Sequence, residues 1–253
     1  MKQHAFRGFA KYYDLIYKDK NYAKEADFVE ACFKEYLKPK KTLEIGCGTG
    51  NYTAVFSERG YQITGIDNSE EMLEIARSKC NCNFLKMDIR NLSLPSKFDC
   101  CLALFAVMGY LTGNGDLMKA LTKVREHLTN DGLFIFDVWN GLAVLRSLPE
   151  NRIKEIESDK LKIVRYAHPA LKASDHICQV DYKLVVMKKD SNEISEITEK
   201  HMVRFFFPQE IRHYLECAGF ELLKLCPFLD INGKVTENVW NMTVIARAGC
   251  VKS

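Results

Sequence analysis

No stretch of about 18 apolar residues free of charge occurs in this 253-residue sequence, so no bilayer-spanning helix is expected. The opening residues, Met1-Lys2-Gln3-His4, lack the apolar core and small-residue cleavage site of a secretory leader. The expectation is a cytoplasmic protein. Charge of one sign is lacking too: 36 basic against 33 acidic residues leave +3, too little for the basic stripe of a nucleic-acid binder. The only tight basic cluster, Lys38, Lys40 and Lys41, is interrupted by Pro39 and reads as a solvated linker before a strand. Cysteine is plentiful, but paired C-x-x-C arms are missing: Cys80 and Cys82 are spaced C-x-C, and Cys100 and Cys101 are adjacent. No metal site is therefore expected. Those thiols and the ones at 32, 47, 178, 217, 226 and 250 read as small buried apolar residues. With 47% hydrophobic and 27% charged residues, the chain can bury enough apolar surface to fold.

Periodicity divides the chain. Ala26, Val29, Cys32, Phe33 and Leu37 mark one face of a helix from Tyr22, which Pro39 stops. Thr42–Ile45 and Tyr61–Ile66 read as strands, with a helix from about Tyr52 between them. Ser69 is expected to cap the next helix, with Met72, Leu73 and Ala76 inward. Three more strands follow at Asn83–Met87, Phe98–Phe105 and Leu133–Val138, with a helix over Asp116–Leu128. This alternation predicts parallel strands joined by right-handed crossovers, a doubly wound α/β sheet. Its ligand should lie beyond the carboxyl ends of the strands. After about residue 150 the rhythm changes. Leu161–Tyr166, Ile177–Met187 and Ile194–Phe207 read as an antiparallel insertion. A helix from Pro208 through Cys217 and a hairpin of Glu221–Cys226 with Val239–Ala246 close the chain.

The sharpest motif is Leu43-Glu44-Ile45-Gly46-Cys47-Gly48-Thr49-Gly50, a strand entering a glycine turn before a helix. Asn51 stands where the dinucleotide fingerprint needs Gly or Ala, and the lysine of a phosphate-binding P-loop is missing. Glu44 would repel a pyrophosphate and suits a cationic, amino-acid-like ligand.

Glu44 through Gly50 resembles motif I of class I S-adenosylmethionine-dependent methyltransferases, and three further segments follow in order. Ile66-Asp67 closes the second strand, where the resemblance implies an acid bonding both ribose hydroxyls. Asp88-Ile89 follows the third, where it implies adenine contacts. Leu104-Phe105-Ala106 ends the fourth, beside the methionine moiety. The resemblance likewise implies cofactor contacts at Tyr13, Tyr22, Gly46, Cys47, Gly48, Gly50, Asn68 and Met72. A more detailed similarity points to the N,N-dimethyltransferases of amino-sugar nucleotides in macrolide biosynthesis. It rests on Tyr13-Asp14-Leu15, Lys20–Ala26, Phe105–Leu111, His201–Phe206 and Ala218-Gly219-Phe220. There are two departures: Asn238-Val239-Trp240-Asn241 replaces a G-R-G substrate contact, and Asp137-Val138-Trp139-Asn140 replaces a Glu-Pro-Trp-Trp run. The enzyme type carries over and the acceptor stays open. The implied fold is a single Rossmann-like domain over 1–253. It comprises a helical lid (1–40), a cofactor-binding core (41–149), the antiparallel insertion (150–207), and a closing helix and hairpin (208–253).

Methyl transfer from a sulfonium needs alignment more than acid–base power. Tyr13, Tyr17 and Tyr22 are expected as a lid over the cation, ordering when the cofactor binds. Tyr13, Tyr110 and His201 are the catalytic candidates; Tyr17, Tyr110, Trp139 and Arg204 are the substrate-binding ones. Arg204 is expected on the strand face of His201, there to bind an anionic group. His127 is expected on a helix surface. The partners expected are a small molecule, most simply an amine, with no nucleic acid or membrane; a homodimer through the insertion is compatible with this. An O-methyltransferase is the alternative. An RNA or protein methyltransferase is disfavoured because Phe105-Ala106-Val107-Met108 stands where an N-P-P-Y tetrapeptide would.

Overall fold

The computed structural model describes residues 8–249; Cys250 and the first seven residues of the expected lid lie outside them. After α1 (Ala10–Ile16), α2 (Tyr22–Tyr36) starts where the Asn21 side chain accepts the Lys24 amide, and it buries Ala26, Val29, Cys32 and Phe33 as expected. Five parallel strands follow: β1 (Lys41–Ile45), β2 (Gln62–Asp67), β3 (Asn83–Lys86), β4 (Phe98–Ala103) and β5 (Leu128–Asn140). The helices α3 (Asn51–Glu58), α4 (Glu70–Lys79) and α5 (Asn114–His127) connect them. Ser69 caps α4 by accepting the Met72 amide. The strand order is β3-β2-β1-β4-β5, so the progression across the sheet turns back between β1 and β4, which pair in parallel.

Alternation sends Leu43 and Ile45 into one core layer, with Leu121 of α5, and Cys100 and Leu102 into the other, with Phe33 and Phe56. Adjacent Cys100 and Cys101 thus face opposite layers. Full burial of a side chain such as Phe33 contributes about 1.5–3 kcal/mol. The nine described cysteines are unbridged, and six of them are buried.

Beyond α6 (Gly141–Arg146), β6 (Arg152–Glu157), β7 (Leu161–Lys172), β8 (Ile177–Lys188) and β9 (Ile194–Phe206) form the antiparallel insertion. It joins the main sheet through Trp139 and Asn140 of β5, which pair with Phe205 and Phe206. On its inward face, Ile156, Ile163, Leu184 and Val186 pack against Phe9, Tyr12 and Ile16. The same face carries the register row Arg152–Ala167–Tyr182–Glu199. Finally α7 (Pro208–Cys217) leads to β10 (Phe220–Pro227) and β11 (Asn241–Ala248), and β11 pairs antiparallel with β5.

α6 and β6 are elements for which there was no expectation; β6 buries only Ile156. Two expectations are corrected. β5 begins at Leu128 rather than Leu133. His127 is buried, not on the surface: Nε2 accepts the Leu94 amide and Nδ1 donates to the Lys123 carbonyl, so both ring nitrogens hold a loop in place. Among the described residues no helix is long and apolar enough to cross a membrane.

Candidate active site

A cavity of about 1100 Å³ opens beyond the carboxyl ends of β1, β2 and β4, at the reversal of strand order, bounded by α1 and the inward face of the insertion. The glycine turn forms its floor. Gly46, Gly48 and Gly50 have φ of +66°, +53° and +74°, a region costly for other residues, but they do different work. Beside Gly48 a Cβ would meet nothing within 4 Å, so bare backbone faces the cavity. At Gly46 a Cβ would come within 2.7 Å of Val107, and at Gly50 within 2.9 Å of Ala76. Gly50 is thus needed for packing α3 against α4 and does not reach the cavity, a correction to its expected ligand contact.

Glu44 is also corrected. It lies beneath the turn, fully enclosed and off the cavity wall, where it accepts the Thr53 hydroxyl. Burial, with help from the Asp67 charge, pushes its carboxyl up to about 8. Asp67 does face the cavity. Its two oxygens accept Gly48 N and Ser69 N, each at 2.9 Å. Burial raises its pKa, while those amides and that of Asn68 hold it back. Asn68 and Met72 line the same end. Asp88 and Ile89 follow, and the Arg90 guanidinium holds Asp88 below the usual carboxylate range. Asp67 has further lone pairs for ligand hydroxyls.

At the end of β4, Leu104 leads to Phe105 and Ala106, whose φ values of +69° and +58° are strained for non-glycine residues. Buried Asp137 holds them there, accepting Phe105 N at 2.5 Å and Ala106 N at 3.0 Å, and burial pushes its carboxyl up to about 7. Tyr17 stacks edge-on against Phe105 at 5.2 Å and tilts against Tyr13 at 4.7 Å, while Lys20 Nζ sits 4.3 Å from the Phe105 ring. Tyr22 lines the same wall. Burial pushes the Tyr13 and Tyr110 hydroxyls well up, so both stay protonated at neutral pH. Asp14 fastens the segment to the floor: it accepts Thr49 Oγ1 at 2.7 Å and Asn51 Nδ2 at 3.0 Å and pairs with Lys79 at 2.7 Å.

On the opposite wall, Tyr110 Oη lies 2.8 Å from His201 Nδ1, and His201 Nε2 lies 3.0 Å from Glu199 Oε2. Trp139, Tyr182, Arg152 and Arg165 complete this wall. The Arg165 guanidinium sits 5.8 Å from both the Tyr17 and Tyr182 rings, and its buried Nε has no hydrogen-bond partner among the described residues.

Arg204 is absent from the cavity. Three positions separate it from His201, so it points to the other face of β9, where it pairs with Glu210 at 2.5 Å and reaches the Thr112 carbonyl. The anion-binding expectation for Arg204 is therefore withdrawn. Sequence reasoning missed Asp137, Glu199, Tyr182, Arg152 and Arg165. Two-residue alternation from His201 picks out Glu199, but the register that brings in the two arginines is a tertiary fact.

Residues 42–132 match the methyltransferase domain family. YqeM of Bacillus subtilis (strain 168) is 26% identical over 223 residues, spanning 86% of this chain and 87% of that protein. A dTDP-3-amino-3,6-dideoxy-alpha-D-glucopyranose N,N-dimethyltransferase of Streptomyces fradiae is 24% identical over 223 residues, 84% of each chain. The crystal structure of an S-adenosylmethionine-dependent methyltransferase from Clostridium acetobutylicum ATCC 824 matches with a TM-score of 0.81 at 25% identity, covering 97% of this chain and 100% of that one. With its doubly wound sheet and the glycine turn of its cavity floor, the chain is an S-adenosylmethionine-dependent methyltransferase.

Proposed function

We propose that the enzyme methylates an amine nitrogen of a small anionic acceptor, with a nucleotide-linked amino sugar as the substrate class. The observation that carries this reading is the pair Arg152 and Arg165 on the insertion wall of the cavity. Guanidinium groups that line a cavity offer planar, paired donors suited to an anion such as phosphate. A phosphate or diphosphate there would place the rest of the acceptor toward Tyr110 and Phe105. The Streptomyces fradiae relative acts on a substrate of that class. The cavity, at about 1100 Å³, exceeds the ~300–1000 Å³ typical of one drug-sized ligand, which suits a cofactor and an acceptor bound together.

S-adenosylmethionine supplies an activated methyl group on a sulfonium when bound. To hold it, Gly48 would offer bare backbone, Asp67 would accept hydrogen bonds from the ribose hydroxyls, and Asp88 with Ile89 would border the adenine. Tyr13, Tyr17 and Phe105 present ring faces suited to a cation and exclude water from the reacting atoms. Asp137 keeps Phe105 and Ala106 in position through their amides. The remaining work is to hold acceptor and donor in line.

Calorimetry on the intact protein tests the substrate class, with dTDP-3-amino-3,6-dideoxy-alpha-D-glucose as probe. Arg165→Ala is expected to weaken that probe about tenfold or more, on the order of losing one charge-assisted bond, with S-adenosylhomocysteine affinity unchanged. Equal effects on both ligands, or none on the probe, would remove the anionic acceptor.

A further inference from the structure

Two inward residues of β9, Glu199 and His201, meet Tyr110 in a chain of hydrogen bonds running from the buried end of the insertion to the cavity. Glu199 Oε1 accepts Gly8 N at 2.9 Å and Phe9 N at 3.2 Å, and Oε2 faces His201 Nε2 at 3.0 Å. Both carboxylate oxygens therefore act as acceptors. An acceptor opposite Nε2 requires a proton on Nε2, which leaves Nδ1 of a neutral imidazole as the acceptor for the Tyr110 hydroxyl at 2.8 Å. Ring contacts hold the imidazole in place: Tyr182 at 5.0 Å, Tyr110 at 5.8 Å and Phe9 at 6.1 Å. Among the described residues, the ionisable or charged groups facing this chain include Glu199 from β9, Tyr182 from β8, Tyr13 and Tyr17 from the N-terminal segment and Asp67 at the end of β2, with Arg165 of β7 behind Tyr182.

We propose that Glu199 is a positioning residue: it fixes His201 as the Nε2–H form and thereby sets Tyr110 as the group that takes the proton from the acceptor's ammonium. The proposal rests on the amine reading above. In the step, the N–H bond of the ammonium breaks and its electron pair stays on nitrogen as the nucleophilic lone pair. The proton goes to Tyr110 Oη while the tyrosine's own proton passes to His201 Nδ1. His201 then carries protons on both nitrogens, and its charge lies against the Glu199 carboxylate. No net charge is created: a cationic acceptor becomes neutral and a neutral imidazole becomes cationic. One carboxylate thus serves two ends, since its other oxygen also holds the turn at Gly8 and Phe9 that leads into the N-terminal helix.

Nitrogen NMR of histidine-labelled protein reads the protonation pattern without any acceptor, so it can fail independently of the amine reading. The His201 signals are assigned by their loss in His201→Gln. Wild-type protein is expected to show one form, Nε2 protonated and Nδ1 accepting. Glu199→Gln should give a mixture of both forms. It should also lower kcat about tenfold or more toward the amino-sugar probe with KM little changed, and Glu199→Asp should restore part of that loss. If Glu199→Gln does not fold, Tyr110→Phe serves: it should move the Nδ1 resonance and leave the Nε2 proton in place. A wild-type His201 protonated on Nδ1, an unchanged pattern in Glu199→Gln, or an unmoved Nδ1 in Tyr110→Phe would each overturn the proposal.

Discussion

Among single residues, Asp67 and Glu44 show how similar carboxylates separate by environment. Asp67 faces the cavity with its charge held by amides, so Asp67→Ala is expected to weaken S-adenosylhomocysteine by roughly 1.5–3 kcal/mol, as for hydrogen bonds to a charged group. Calorimetry on the folded variant checks it. Glu44 should matter little to affinity, because it touches Thr53 rather than the cavity. Its effect is on stability. The folded protein keeps a proton on Glu44 up to about pH 8, whereas the unfolded chain loses it in the usual carboxylate range. The stability this gives is complete at low pH and is lost as pH rises through about 8. Glu44→Gln should therefore reduce the fall in stability between about pH 5 and about pH 8 by on the order of 3 kcal/mol. Urea denaturation at the two pH values measures it, and an unchanged slope would place the proton elsewhere. Asp67, Asp88 and Gly48 were legible through the resemblance of their segments to the methyltransferase motifs, and all three line the cavity. Arg204 was misread because strand faces alternate, and a residue three positions from His201 must look the other way.

At the scale of elements, α1 is attached in two ways. Phe9, Tyr12 and Ile16 pack into the insertion, and Asp14 ties the helix to Thr49, Asn51 and Lys79. With both attachments, α1 is expected to hold its place in the wall of the empty protein, in contrast to a lid that orders only with its cofactor. Hydrogen exchange over Ala10–Ile16 should show protection in the empty protein, with a further gain on adding S-adenosylhomocysteine. Ile16→Ala, at a site 1% exposed, should cost about 2–5 kcal/mol and expose those amides first. Rapid exchange of these amides in the wild-type empty protein would restore the mobile-lid view. The core elements could be read because their apolar residues recur at helical or strand period and end in Gly, Pro or Ser signals. β6 and α6 could not. Ile153 of β6 is 66% exposed and Leu145 of α6 44%, so little of either pattern reflects burial.

Over the whole molecule, the reversal of strand order between β1 and β4 opens a crevice, and the insertion, returning through β9 beside the end of β5, walls it. The order of elements predicted the crevice, because parallel strands linked by short crossovers leave few alternatives. The wall was not readable, since its inward residues depend on how three long strands register against one another. Those registers bring Arg152, Tyr182 and Glu199 into one row, and the row is where acceptor choice should reside. The most direct test of the central claim is mass spectrometry of dTDP-3-amino-3,6-dideoxy-alpha-D-glucose incubated with the protein and methyl-deuterated S-adenosylmethionine. The account predicts labelled methyl on the amino nitrogen, with S-adenosylhomocysteine formed in proportion. Label on a hydroxyl, or none on this or other phosphorylated amines while the protein still binds S-adenosylhomocysteine, would contradict it.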